Sequence, residues 1–215
     1  MTSSARASRP LVLAGGALLL LALALVALML ARPSASAPAS TAAASAPGEA
    51  SADVGFARDM AVHHQQAVEM SFIVRDRTTD AAVRRLAFDI INTQANQRGM
   101  MLGWLEMWGR AKSSPGPPME WMGHTVAPRG DGALMPGMAT DTELDALRAA
   151  KGRDAEVLFL RLMTAHHRAG ADMAQAAAAA AGTDEIRNLA SGMVLGQRSE
   201  ITLMADMLKE RGAPA

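Results

Sequence analysis

From Asp53 onward, apolar side chains recur at intervals of three and four. Phe56, Met60, His63, Ala67, Met70 and Val74 fall in register in one stretch, and Val83, Leu86, Ile90 or Ile91, Gln94, Met101, Leu105 and Trp108 in the next. That spacing keeps one face of an α-helix apolar, so both stretches are read as amphipathic helices. Thr79-Asp80 offers an N-cap for the second, and Gly109 stands where a C-cap is expected.

The pattern returns 103 residues later without a gap. Phe56, Met60, His63 and Met70 recur as Phe159, Met163, His166 and Met173. Arg84, Leu86, Gln94, Met101, Leu105 and Gly109 recur as Arg187, Leu189, Gln197, Met204, Leu208 and Gly212, with Thr183-Asp184-Glu185 opening the second helix of the copy. A duplicated helical hairpin predicts an all-α domain, a four-helix bundle spanning residues 53–215. Between the hairpins lies a Pro- and Gly-rich loop, 110–140, containing Met119, Met122, His124, Met135 and Met138. A short helix from Asp141 to Ala150, closed by Gly152, follows it.

The segment before this domain is of another kind. Arg6 and Arg9 precede an uncharged apolar run, Leu11 to Ala31, and Arg32 follows it. Residues 1–32 are therefore an export signal or a retained membrane anchor. The run is long enough to span a bilayer, and Ala35-Ser36-Ala37 offers a cleavage site, so both remain open. Either one directs the domain outside the cytoplasm, as a secreted, periplasmic or membrane-anchored protein. Residues 33–52, mostly Ala, Ser and Pro, read as a flexible linker. Beyond Arg6, Arg9, Arg32 and Glu49, the chain carries 18 basic and 20 acidic residues, a balance that gives no footprint for nucleic acid.

The chemistry is concentrated in the repeated Met-x-x-His-His. At about 100° per residue, His63 and His166 fall inside the apolar stripe with Met60, Met70, Met163 and Met173, while His64 and His167 sit on its edge. Core histidines hydrogen-bonded to Gln94, Gln97, Gln197 or Glu200 are the structural reading. Four interior imidazoles are nonetheless costly unless each nitrogen is satisfied, and a metal would satisfy them. Thioether with imidazole suits copper, especially Cu(I), over Mg, Ca or Mn. The chain has 16 Met and no Cys, a soft donor set that survives an oxidising compartment.

A di-iron carboxylate site needs Glu-x-x-His, but Met60 and Met163 occupy the Glu positions. No catalytic or organic-cofactor residues are assigned, and the protein is expected not to be an enzyme. Asp53 and Glu156 are read as charges at helix N-termini rather than ligands. The loop methionines with His124 form either a second capture site or packing.

The run from Asp53 through Phe56, Met60, His63-His64, Ala67 and Met70, with Gln94, Gln97 and Met101, Gly137-Met138, and Phe159 through Met163 to His166-His167, resembles the domain of unknown function 305 family. The resemblance covers about Asp53 to Gly212. It implies an exported, ferritin-like four-helix bundle, some members being described as copper-binding proteins of copper resistance. The candidate copper ligands it implies are Met60, His63, His64, Met70, Met101, Met138, Met163, His166, His167, Met173 and Met204. Gln97 departs from the family, where a Glu is common, whereas its repeat counterpart is Glu200. The expected function is an extracytoplasmic protein that buffers or sequesters Cu(I) or Cu(II). The alternative is a metal-free structural or protein-interaction bundle.

Overall fold

The computed structural model describes residues 45–114, 116–123 and 128–214. The signal or anchor segment, most of the linker, and His124 lie outside the described residues. Five α-helices follow in order: α1 (Ala52–Arg75), α2 (Ala81–Met107), α3 (Asp141–Ala149), α4 (Gly152–Ala180) and α5 (Asp184–Glu210). A 3-10 turn, Glu120–Met122, interrupts the long loop, and among the described residues the extended pairing is an isolated bridge between Gly130 and Ala133.

The caps follow the sequence signals. Asp80 accepts from the Val83 N–H at 2.9 Å and Thr183 from the Ile186 N–H at 3.4 Å, each satisfying a first-turn amide that the helix leaves orphaned. At the other ends, Gly109 (φ +64°) and Gly212 (φ +62°) take the left-handed conformation. The next residue in each case, Arg110 and Ala213, reaches back to Leu105 O and Leu208 O. This is the same six-to-one closure in both repeats, and it favours glycine because a Cβ is strained there. The short helix ends one residue earlier than expected. Ala150 is its C-cap, and Gly152 begins α4, donating its N–H to Arg77 O at 2.7 Å.

Helices α1 and α2 form one hairpin and α4 and α5 the other, and the hairpins meet chiefly through α1 against α4. Met60 packs in one apolar cluster with Met173, and Met70 in a second with Met163. The two central helices therefore run antiparallel, and the repeats face each other about an approximate twofold axis. The hairpins are also laced crosswise. Asp53, opening α1, accepts from Gly182 N, Thr183 N and Thr183 Oγ1 before α5. Glu156, its repeat counterpart, takes the Thr78 hydroxyl before α2 and the Arg211 guanidinium. Burial acts to raise the Asp53 pKa, but the bonds from Thr183 and Gly182 outweigh it, and the net shift is downward. Residues just ahead of α1 already join the domain, with Pro47 O accepting from Arg110 and Glu49 paired to Arg58.

Candidate metal centre

All four histidines of the repeated motif lie in the interior, none more than 1% exposed. His63 and His166 stack across the α1–α4 contact with ring centroids 3.7 Å apart and planes tilted by 32°. The pseudo-twofold axis passes between them. The apolar stripe explains why this pair is inside. It misplaces their neighbours: His64 and His167, expected on the stripe's edge, are 0% exposed. In a bundle each central helix is flanked by two neighbours, so its buried sector is wider than a single stripe. Here α2 and α5 cover that flank.

Those outer helices also supply the partners. His64 Nε2 donates to Gln97 Oε1 at 2.8 Å, and His167 Nε2 donates to Glu200 Oε2 at 2.7 Å. Gln97 and Glu200, expected opposite His63 and His166, thus pair with the second histidine of each motif. His166 Nε2 donates to the backbone carbonyl of His63 at 3.0 Å. Carbonyl and carboxylate oxygens only accept, so these bonds fix the tautomers with the proton on Nε2.

What remains is a set of buried polar atoms without partners. His64 Nδ1 and His167 Nδ1 are buried without a hydrogen-bond partner, as are both ring nitrogens of His63 and the Oε1 atoms of the repeat-related Gln94 and Gln197. Each unsatisfied buried polar group costs about 1–3 kcal/mol, so a cluster related by the repeat calls for a reason. Burial, followed by the adjacent His64, pushes the His63 pKa down to about 3; Pro136 O lies near its ring outside hydrogen-bond geometry and offsets little of this. Burial likewise holds His64 at about 4, and burial with the charges of His63, His167 and His64 keeps His166 well below 6.5. These three imidazoles are neutral at pH 7, the form that ligates metals.

Methionines flank the imidazoles on both sides. Met60, Met101 and Met173 share one apolar cluster; Met163, Met204 and Met70, their repeat counterparts, share the other. Each cluster mixes the two hairpins, and all six side chains are 0% exposed. Among the described residues, no group of three or more His, Cys, Asp or Glu side chains is spaced to hold a metal ion.

The long loop seals this layer. Met119, Met135 and Met138 are buried against Met60, Met101, Met173 and Met193, so they pack as part of the core. Two polar residues outside the candidate ligand set hold the loop down. Gln66 donates Nε2–H to Ala139 O at 2.8 Å and accepts the Ala139 N–H at 2.7 Å. Asp59 accepts from Met119 N at 2.7 Å and from Trp121 Nε1 at 2.9 Å. Their signal was a polar residue beside the apolar stripe, and at Gln66 the repeat is broken by Ala169. Gly137, at φ +77°, lies directly on α4; a Cβ there would come within 2.6 Å of Ala169 Cβ and 2.7 Å of Ala165 O. Asp53 and Glu156 are at the ends of the bundle, tied to the interhelical loops rather than to the histidines.

Residues 53–208, the duplicated-hairpin bundle, match the family described as Domain of unknown function (DUF305). The chain belongs to the DUF305 family. It is 57% identical to a DUF305 protein of Streptomyces coelicolor described as secreted, with a TM-score of 0.73 over 78% of this chain and 98% of that one. A DUF305 fragment from Deinococcus radiodurans is 31% identical, with a TM-score of 0.63 over 74% of this chain and 96% of its own. CopM in its Cu(II)-bound form is 25% identical with a TM-score of 0.59, covering 74% of this chain and 96% of that one. Its Cu(I)-bound form, 23% identical with a TM-score of 0.56, shares the fold. No curated protein matches the chain.

Proposed function

We propose that this domain binds copper through its buried imidazoles and thioethers and buffers or sequesters it outside the cytoplasm, without a catalytic step. The observation that carries the reading is the set of buried imidazole nitrogens with no partner, His63 Nδ1 and Nε2, His64 Nδ1 and His167 Nδ1. Three features of the donor set fit copper. Depressed pKa values leave His63, His64 and His166 neutral, so a cation does not compete with a proton at pH 7. Nε2–H bonds to Gln97 and Glu200 orient His64 and His167 with Nδ1 as the free donor atom, the arrangement in which outer partners fix metal-ligating histidines. Imidazoles from both hairpins meet within one layer, with thioethers on either side to supply the soft donors that favour Cu(I).

The likeness to CopM, solved with Cu(II), supports the same choice of metal, and the relative described as secreted supports the location. Copper held between α1 and α4 would cross-link the two hairpins. It would therefore raise stability by mass action, by about 2.7 kcal/mol at a free concentration one hundred times Kd.

The test is thermal unfolding of the metal-free protein with and without Cu(I) under anaerobic conditions. A stabilisation of that size raises Tm by roughly 5–10 °C in a chain of this length. The H63Q/H166Q double variant, which keeps hydrogen-bonding capacity, should lose most of the rise. No rise in the wild type, or an equal one in the variant, would favour a metal-free bundle whose histidines only bridge helices.

A further inference from the structure

The two repeats pair their outer histidines in the same way, with acceptors that differ in one atom. His64 and His167 each donate Nε2–H to a side chain 33 residues further along, at 2.8 and 2.7 Å, and each leaves a buried Nδ1 unpartnered. The acceptor is the amide of Gln97 in the first repeat and the carboxylate of Glu200 in the second. We propose that this difference makes the halves of the centre unequal toward the two oxidation states of copper, with Glu200 biasing His167 toward Cu(II) and Gln97 leaving His64 suited to Cu(I). The inference rests on the copper reading above and assigns both residues as positioning groups acting through their histidines.

The two acceptors differ in charge. A carboxylate that accepts the Nε2–H draws the proton toward itself, raises the electron density on the ring, and makes Nδ1 the stronger donor. It also places a negative charge behind the imidazole, and the attraction this adds is greater for a doubly charged ion than for a singly charged one. An amide oxygen fixes the same tautomer and the same ring orientation without the charge. Orientation is therefore held constant between the halves while the donor strength changes. Glu200 is 25% exposed, so solvent screens part of its charge but not the direct hydrogen bond to the ring.

Loss of such an outer partner changes metal affinity about 10- to 100-fold. Affinities for Cu(II) and Cu(I) are measured separately on the whole domain, by competition with nitrilotriacetate and with bicinchoninate under anaerobic conditions. Glu200→Gln should weaken Cu(II) binding about tenfold or more and change Cu(I) binding by less than about threefold. A tenfold change in that ratio corresponds to a rise of about 59 mV in the potential of the bound copper. Gln97→Glu should tighten Cu(II) binding by a comparable factor and lower the potential.

Equal changes in both affinities for Glu200→Gln, or none, overturn the proposal. If Glu200→Gln does not fold, Gln97→Glu decides alone, and no gain in Cu(II) affinity overturns it. A copper-free readout separates this from the function itself. In the metal-free protein, the 15N shifts of His64 and His167 should show a proton on Nε2 of both rings, and a bare Nε2 in His167 overturns the proposal whatever copper does. Absence of copper binding in the wild type would instead refute the function on which it rests.

Discussion

Acid should unfold the metal-free domain at a pH where ordinary helical bundles are still intact. The perturbation is a drop from pH 7.5 to 5. His63 has a folded pKa of about 3 and His64 of about 4, and His166 is held well below 6.5. In the unfolded chain all three return to about 6.5. A depressed folded pKa means that the unfolded state binds more protons throughout the interval between the two values. The stability associated with neutral burial is thus complete above about pH 6.5 and is lost as pH falls toward 3. The limiting slope is about 1.4 kcal/mol per pH unit for each histidine. Integrated from pH 7.5 to 5, the loss is about 2 kcal/mol for each of His63 and His64, and His166 adds to it in the same direction. His63 and His64 together, about 4 kcal/mol, approach the whole stability of a marginal domain, about 5 kcal/mol. Asp53, whose folded pKa is lowered, adds its own loss only as pH falls below its unfolded value of 3.8, outside this window.

The assay is urea unfolding of metal-free protein followed by circular dichroism across that range, with the m-value checked for constancy. The H63Q/H166Q variant lacks two of the three groups, so its slope should be clearly shallower than that of the wild type. A stability that stays flat between pH 7.5 and 5, or an unchanged slope in the variant, would refute the reasoning.

Other consequences follow from particular contacts. Gln66→Ala strips both strap bonds from Ala139, and should cost about 2–3 kcal/mol in urea unfolding and hasten modification of His63 and His166 by diethyl pyrocarbonate. Gly137→Ala should destabilise by about 1–3 kcal/mol, because φ is +77° and the new Cβ meets Ala169 and the Ala165 carbonyl. Gly99→Ala, inside α2 with nothing within 4 Å, should stabilise by about 0.5–1 kcal/mol in the same thermal melt. Asp53→Ala removes three bonds to Gly182 and Thr183 and should cost about 2–4 kcal/mol, while Asp53→Asn recovers part of that.

The helices, their caps and their pairing were legible because each rests on local chemistry: three-four spacing, Asp80 and Thr183 as caps, Gly109 and Gly212 as left-handed ends. The repeat offset then determined which helices correspond. His63 and His166 could be placed inside for the same reason. The burial of His64 and His167 could not, since it depends on how α2 and α5 lie against α1 and α4, and one helix's periodicity carries no record of its second neighbour. The division of the methionines into two layers, Met60 with Met173 and Met70 with Met163, needed the antiparallel sense of α1 and α4. The loop's composition announced a loop but not a cover. Its attachment depends on Gln66 and Asp59 reaching backbone amides 60 or more residues away, pairings with no periodic signature.

Joint ligation of copper by imidazole nitrogen and thioether sulfur between the hairpins can be read by X-ray absorption at the copper edge of the Cu(I)-loaded domain. Sulfur together with imidazole nitrogen is expected around the metal, with the imidazole contribution diminished in H63Q/H166Q. Copper surrounded by oxygen and nitrogen alone, or a spectrum unchanged in the variant, would contradict it.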